Sequence, residues 1–263
     1  MPQPILTLTT DFGASDHYAG AMKGVILSIC PRAQIVDICH DLTPFEIAEG
    51  AYTIAQAYDC FPKKTVHVVV VDPGVGTARR PILVEAAGQY FVGPDNGVLS
   101  MVYSREKHKV RWIANERYFR KPVSATFHGR DIFAPVAAHV AAGVPASRMG
   151  KAIQDYLRAE FAAPQRSGER TWSGSILKID RFGNVVTNFH VRDFPGLNSG
   201  SGCVLTVGRH KIAALELNYA ASKPGKLFSI VGSSGYLEIS LNQGSAAKRL
   251  GCKAGGAVEL TLG

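Results

Sequence analysis

The chain has 263 residues, of which 46% are hydrophobic and 19% charged. That length holds one large domain or two ordinary ones, and the composition excludes a disordered chain or a solvated coiled coil. The net charge of +8, from 29 Lys and Arg against 21 Asp and Glu, is scattered along the chain, which points to a basic surface rather than a nucleic-acid module.

The first residues, MPQPILTLTTDF, lack a basic segment followed by a long apolar one, so a cytoplasmic protein is expected. No apolar run is long enough for a membrane span. The five cysteines form no Cys-x-x-Cys and no even framework; they read as free thiols in a reducing compartment. Ile5 to Thr9 alternates apolar and hydroxyl side chains, the period of a strand. Ser15 or Asp16 is the expected cap of a helix carrying Tyr18, Met22, Val25, Ile26 and Ile29, stopped by Pro31. A short strand follows over Gln34 to Cys39. Thr43-Pro44-Phe45-Glu46 has the pattern of a capping box opening a helix with Ile47, Ala51, Ile54 and Tyr58. Thr65 to Val71 is a nearly continuous β-branched run, expected for a strand buried on both faces. Ile82 to Glu85 and Gln89 to Val92 read as a hairpin about Gly88, and Ile132 to Ala142 as an Ala-rich helix. Strands alternating with helices predict a layered α/β domain over residues 1–163.

Residues 164–173 are polar and aperiodic and are expected to be a linker. From Gly174 to the end the pattern changes to short strands (Ser175 to Ile179, Val204 to Val207, Leu227 to Val231, Tyr236 to Leu241, Ala257 to Leu262) broken by Gly, Asn and Ser. This predicts a small antiparallel β-barrel or sandwich domain over 174–263.

Five segments carry polar residues where α/β proteins place their sites, at strand ends and loops. Asp11 follows the first strand and can accept two hydrogen bonds from a sugar diol or cap its own turn. Asp72 ends the buried strand, and Pro73-Gly74 turns the chain there. The Gly74-Val75-Gly76-Thr77 loop lacks the Lys-Ser/Thr of a P-loop. Arg79, seven residues on, suits an ion pair with Asp72 that is either functional or a pin for the loop. Pro94-Asp95-Asn96-Gly97 reads as a tight turn. His128, between Phe127 and Gly129 ahead of the Ala-rich helix, is placed for hydrogen bonding or proton transfer near neutral pH. Arg130 and Asp131 read as a capping pair. Asp180 and Asn184 flank a glycine turn. No histidine has metal-ligand spacing, so no metal is expected.

Taken in order, LTTDFG, MKGVI, IVDICHDLTPF, VVVDPGVGTARRP, FVGPDNGVLS, TFHGRDIFAPVAAH, IDRFGNVVTN and SSGYLEIS resemble the S-adenosylmethionine hydroxide adenosyltransferases, relatives of fluorinating and chlorinating enzymes. The resemblance covers almost the whole chain. It implies cleavage of S-adenosyl-L-methionine at the ribose 5′ carbon to adenosine and L-methionine, with no cofactor. It assigns an Asp–Arg–His triad to Asp72, Arg79 and His128, with Arg80 a rival for the arginine. It implies that Asp11 binds the ribose and Phe45 walls it. Asp180 and Asn184 fall near the methionine amine and the adenine edge, and Ser233 receives the methionine carboxylate. Phe127 and Gly129 are expected to touch substrate. Fluorinating relatives carry Tyr-Pro in place of Asp72-Pro73 and Tyr-Ser in place of His128-Gly129, so the resemblance implies water rather than halide as nucleophile. It also implies a homotrimer with sites at subunit interfaces, and no nucleic-acid or membrane partner. Whether His128 is a base or orients the water stays open, as do a halide-using enzyme and a binding protein without turnover.

Overall fold

The computed structural model describes residues 3–195, 197 and 202–263. The chain divides into two units, Met1–Ala159 and Glu160–Gly263. The first contains β1 (Ile5–Thr10), α1 (Tyr18–Ile29), β2 (Gln34–Cys39), α2 (Ile47–Ala57), β3 (Val66–Val70), β4 (Pro81–Ala86), β5 (Gln89–Pro94), α3 (Ser100–Arg105), β6 (His108–Trp112), α4 (Ala134–Ala141) and β7 (Ala152–Ile153). Its seven-stranded sheet has the order β2-β1-β3-β5-β4-β6-β7. The β2-β1-β3-β5 half is parallel and the rest antiparallel.

The β-branched run of β3 explains the layering. Val66, Val68 and Val70 point to one side, into a core with Met22 and Ile26 of α1 and Val136, Ala137 and Val140 of α4. Val69 and Val71 point to the other, into a core with Ile54 of α2 and Val102 of α3. The alternation of a strand thus fills both faces of the sheet, and helices cover each. The expected hairpin is present: Ala87 and Gly88 turn at φ +54° and +74°, the paired positive values of a type I′ turn.

β1 lies between β2 and β3, so the connections leaving it and reaching β3 lie on opposite faces of the sheet. In open α/β sheets such a reversal leaves a crevice at the C-terminal strand ends. Thr10 pairs with Val70, which sets Asp11 beside the end of β3, where Asp72 follows.

Three local expectations are corrected. α1 starts at Tyr18 with His17 at its N-cap and no side-chain cap from Ser15 or Asp16; Gly13 N–H instead bonds His40 C=O at 2.8 Å, folding that segment back. The capping box at Thr43 to Glu46 does not form. Phe45 sits at φ +70°, outside helical space, so α2 begins at Ile47, and it is Glu49 that accepts from Thr43 N–H at 3.0 Å. The Ala-rich helix begins earlier and wider, as a π-turn over Gly129–Phe133 that runs into α4. Pro135 cannot donate to the Asp131 carbonyl, and Arg120 N–H occupies that carbonyl at 2.9 Å instead.

One buried histidine has a stability role. His67 has no exposed surface. The Gln89 amide donates to the carbonyls of Tyr58, Phe61 and Pro62, so its oxygen faces His67 Nε2 as an acceptor at 3.3 Å. His67 Nδ1 then accepts from Thr7 Oγ1 at 2.7 Å. Burial pushes the His67 pKa down to about 4, against a smaller upward pull from Gln89. The unfolded chain therefore binds a proton that the folded one refuses between pH 6.5 and 4, so this contribution is complete above pH 6.5 and declines as pH falls. Its expected size is about 3 kcal/mol. Urea midpoints across that range should drop less in His67→Gln than in the parent; parallel slopes would place the acid sensitivity elsewhere.

The second unit contains β8 (Gln165–Arg166), β9 (Thr171–Ile179), β10 (Val185–His190), β11 (Cys203–Val207), β12 (His210–Ile212), β13 (Leu215–Glu216), β14 (Leu227–Val231), β15 (Tyr236–Leu241), α5 (Ala246–Leu250) and β16 (Ala257–Leu262). Its nine-stranded sheet runs β12-β11-β16-β9-β10-β15-β14-β13, with β8 beside β9. Pairing is antiparallel except β13 with β14. β12 also meets β14, so the path curls around a core of Ile176, Phe189, Leu205, Leu237, Ile239 and Leu260. The residues expected as a linker, 164–173, belong to this unit. Arg166 pairs with Trp172 across a hairpin, its guanidinium 5.8 Å from the ring centroid. A polar, aperiodic sequence hid a short strand that pairs with β9 through the backbone, with the cation–π contact added to that pairing. Among the described residues no helix is long and apolar enough to cross a membrane, and none of the five cysteines is in a disulfide.

Candidate active site

A cavity of about 600 Å³ opens at the C-terminal ends of β1 and β3. Asp11, Phe45, Asp72, Phe127, His128 and Gly129 all line it. The sheet register and the π-turn thus bring together six of the residues singled out in the sequence. Arg79 stands behind two of them. Its Nε lies 2.9 and 3.0 Å from the two Asp72 oxygens, its Nη2 also donates to Asp72 Oδ2, and Nη2 reaches His128 Nδ1 at 2.9 Å. Its guanidinium carbon is 5.0 Å from the Phe133 ring centroid, over the first turn of the helix that follows His128. The side chains of Arg79 and Asp72 are 9% and 5% exposed.

Of the two adjacent arginines, it is Arg79 that contacts both Asp72 and His128. Arg80 points away, to Asp95 at 2.8 Å and Asp155 at 3.0 Å. The contact with His128 also places a proton. A guanidinium only donates, so His128 Nδ1 is an acceptor and the neutral ring carries its hydrogen on Nε2. Burial lowers the His128 pKa, and the Arg79 charge lowers it further against the pull of Asp72 and Asp131. The ring is neutral at pH 7.

Burial pushes the Asp11 carboxyl above its ordinary value, opposed by hydrogen bonds from the Phe45 and Asp11 amides, while the charge of Asp72 adds to the rise. Phe45 N–H reaches Asp11 Oδ2 at 2.9 Å. That bond helps hold Phe45 at its left-handed φ, a conformation that costs a non-glycine residue about 1–2 kcal/mol. The ring is 70% exposed at the cavity edge. Two site loops are locked to one another at Gly76: at φ +77°, a side chain there would come within 2.3 Å of the Ala125 carbonyl. Asp131, read as a capping partner, is instead wholly buried and holds the 124–131 loop through Ser124 N–H, Arg120 and Arg130. Phe12, Tyr18, Ser124, Thr126 and Arg130 also line the cavity and were not anticipated. Tyr18 shares the apolar face of α1 with core residues, so the sequence pattern alone does not set it apart.

In the second unit, Asp180 Oδ1 accepts from Phe182 N–H at 2.9 Å and Asn184 N–H at 2.8 Å, and its Oδ2 from Asn184 Nδ2 at 2.8 Å. The turn is therefore self-satisfied, with one Asn184 amide hydrogen committed to Asp180. Ser233 is exposed on the β14–β15 turn, closed by a Gly235 N–H to Gly232 C=O bond of 2.9 Å. Among the described residues no group of three or more His, Cys, Asp or Glu side chains is placed to hold a metal ion.

A two-unit fold with a carboxylate–guanidinium–imidazole cluster at a switch point defines a class of α/β proteins with a small-molecule pocket. Comparison places it further. The SAM hydroxide adenosyltransferase N-terminal domain matches residues 6–150, and the C-terminal domain of the same name matches residues 174–259. The chain belongs to the SAM hydroxide adenosyltransferase family. It is 35% identical over 266 residues to the (R)-S-adenosyl-L-methionine hydrolase of Salinispora tropica, covering 100% of this chain and 99% of that one. It is 29% identical to the fluorinase of Nocardia brasiliensis, covering 99% and 98%. The crystal structure of an uncharacterized conserved protein from Thermotoga maritima matches with a TM-score of 0.87 at 38% identity, over 98% of this chain and 99% of that one.

Proposed function

We propose that the protein hydrolyses S-adenosyl-L-methionine to adenosine and L-methionine. The observation that carries this reading is Arg79 bridging Asp72 and His128 at the wall of the cavity. Water attacks the ribose C5′; a C–O bond forms as the C–S bond breaks, its electron pair returns to sulfur, and one proton is released. The sulfonium leaves as a neutral thioether, so no acid has to protonate it and no cofactor is called for. The task is to align water opposite the C–S bond and exclude bulk solvent.

Asp72 accepts a hydrogen bond from that water and is the group placed to take its proton. His128, with its hydrogen on Nε2, donates and orients. Arg79 fixes both. Asp11 receives the ribose diol, and Phe45, Phe127 and Gly129 form the wall around it. Asp180, Asn184 and Ser233 are proposed to hold the methionine and adenine ends from a neighbouring subunit of a homotrimer. Phe182 and Leu217, 79% and 96% exposed, are apolar surface of the kind that an assembly covers. Five free thiols agree with a cytoplasmic setting.

The relatives named fluorinases raise a halide-using alternative. A carboxylate at the cavity wall opposes an anion there, since two like charges cannot share a desolvated site cheaply. The test is incubation of purified protein with S-adenosylmethionine in halide-free buffer, with products separated by chromatography. Adenosine and methionine are expected. Halide-dependent 5′-halo-adenosine would replace the hydrolase reading, and intact substrate retained on the protein would make it a binding protein.

A further inference from the structure

His40 belongs to none of the groups assigned so far, yet it touches the turn that carries Asp11 at two points. Its carbonyl accepts from Gly13 N–H at 2.8 Å, and its Nδ1 lies 2.8 Å from Thr10 Oγ1. Thr10 Oγ1 also accepts from Phe12 N–H at 3.3 Å. A hydroxyl that accepts from an amide has its own hydrogen free to give, and that hydrogen goes to His40 Nδ1. The imidazole hydrogen is then on Nε2, which faces Asp37 Oδ1 at 3.1 Å in an electrostatic contact off the line of a good hydrogen bond. Lys23 Nζ holds the other Asp37 oxygen at 2.5 Å. Burial tends to raise the Asp37 pKa, but Lys23 and the nearby His40 outweigh it and the net shift is downward, which favours the carboxylate.

Carboxylate, imidazole and hydroxyl in this order have the connectivity of a nucleophilic triad. Thr10 has no exposed surface, however, and lies within β1, so its hydroxyl meets no substrate. What the chain of contacts fixes is the geometry of residues 10–13. We propose that His40 is a positioning residue that aims Asp11, acting through the Thr10 hydroxyl. The inference rests on the reading of Asp11 as the group that receives the ribose. Asp11 in turn carries the bond that restrains Phe45, so a tilted turn loosens the aromatic wall as well.

The test is a cycle of His40→Leu, Asp11→Asn and their combination, read by calorimetric binding of adenosine and by steady-state kinetics. His40→Leu is expected to weaken adenosine binding and raise KM about tenfold, the worth of one good hydrogen bond, with kcat changed less than about threefold. His40→Gln, which keeps an acceptor for Thr10, should recover most of the loss. In the Asp11→Asn background His40→Leu should add less than about twofold, because the carboxylate that it aims is gone. An undiminished effect in that background would overturn the proposal. Wild-type protein that binds no adenosine would overturn the functional reading alone. Hydrogen exchange at the Phe12 and Gly13 amides then decides the positioning role: about tenfold faster in His40→Leu supports it, and unchanged exchange refutes it.

Discussion

In His128→Ala, turnover of S-adenosylmethionine should fall by about 10²- to 10³-fold, the usual weight of one preorganised hydrogen-bond donor at the reacting atoms, while the melting temperature stays within a few degrees of the parent. His128 is only partly buried, and its removal leaves Arg79 still bound to Asp72. The parent enzyme carries a further signature. The His128 pKa lies below its ordinary value, first because of burial and then because of Arg79. The working, neutral ring is therefore present above pH 6.5. As pH falls further, Nδ1 takes a proton and can no longer accept from Arg79. A profile of kcat/KM against pH should be flat through neutrality and decline on an acid limb below pH 6.5. That limb should be missing from the residual activity of His128→Ala. A limb centred above pH 7, or an unchanged rate in the variant, would remove His128 from the mechanism as drawn.

How far the sequence reveals this arrangement depends on whether a feature is periodic or pairwise. The valines of β3 announce their burial because every second residue faces one core. The type I′ turn at Ala87-Gly88 is foreshadowed by its glycine between two apolar runs. Asp11 and Asp72 are legible as strand-end carboxylates, but their juxtaposition depends on the neighbouring of β1 and β3. The capping-box pattern at Thr43 misleads because a tertiary bond, Asp11 to Phe45 N–H, holds Phe45 out of helical space. Arg79 and Arg80 are indistinguishable as letters. Their division of labour follows from β4 starting at Pro81, with Asp95 and Asp155 waiting on one side and Asp72 on the other. Likewise His67 lies within a strand and His40 follows one, and only their partners tell a core network from a contact with the Asp11 turn. β10 is not legible as a strand because its polar Thr187 and Asn188, both buried, break the apolar pattern while bonding to the Leu237 and Phe161 carbonyls.

Asp72→Asn should be both inactive and unstable, and the two losses should separate. The substitution removes the carboxylate placed to take the proton from water, so turnover should fall at least about 100-fold. It also removes the counter-charge of a guanidinium that is 9% exposed. Arg79 Nη1 is buried without a hydrogen-bond partner, and the Phe133 face is a weak substitute for an ion pair. Breaking a buried pair from one side costs about 3–5 kcal/mol, whereas replacing both members by uncharged groups is often close to neutral. The double variant Asp72→Asn with Arg79→Met should therefore regain most of the stability lost in Asp72→Asn, measured by urea unfolding, and none of the activity. Recovery of stability without activity would show that the pair is retained for chemistry at a cost to the fold. If Asp72→Asn proved as stable as the parent, the guanidinium would have to find another partner, and the rigid fixing of His128 by Arg79 would lose its basis. If the double variant stayed unstable, Arg79 would matter to the fold through its packing on Phe133 rather than through its charge.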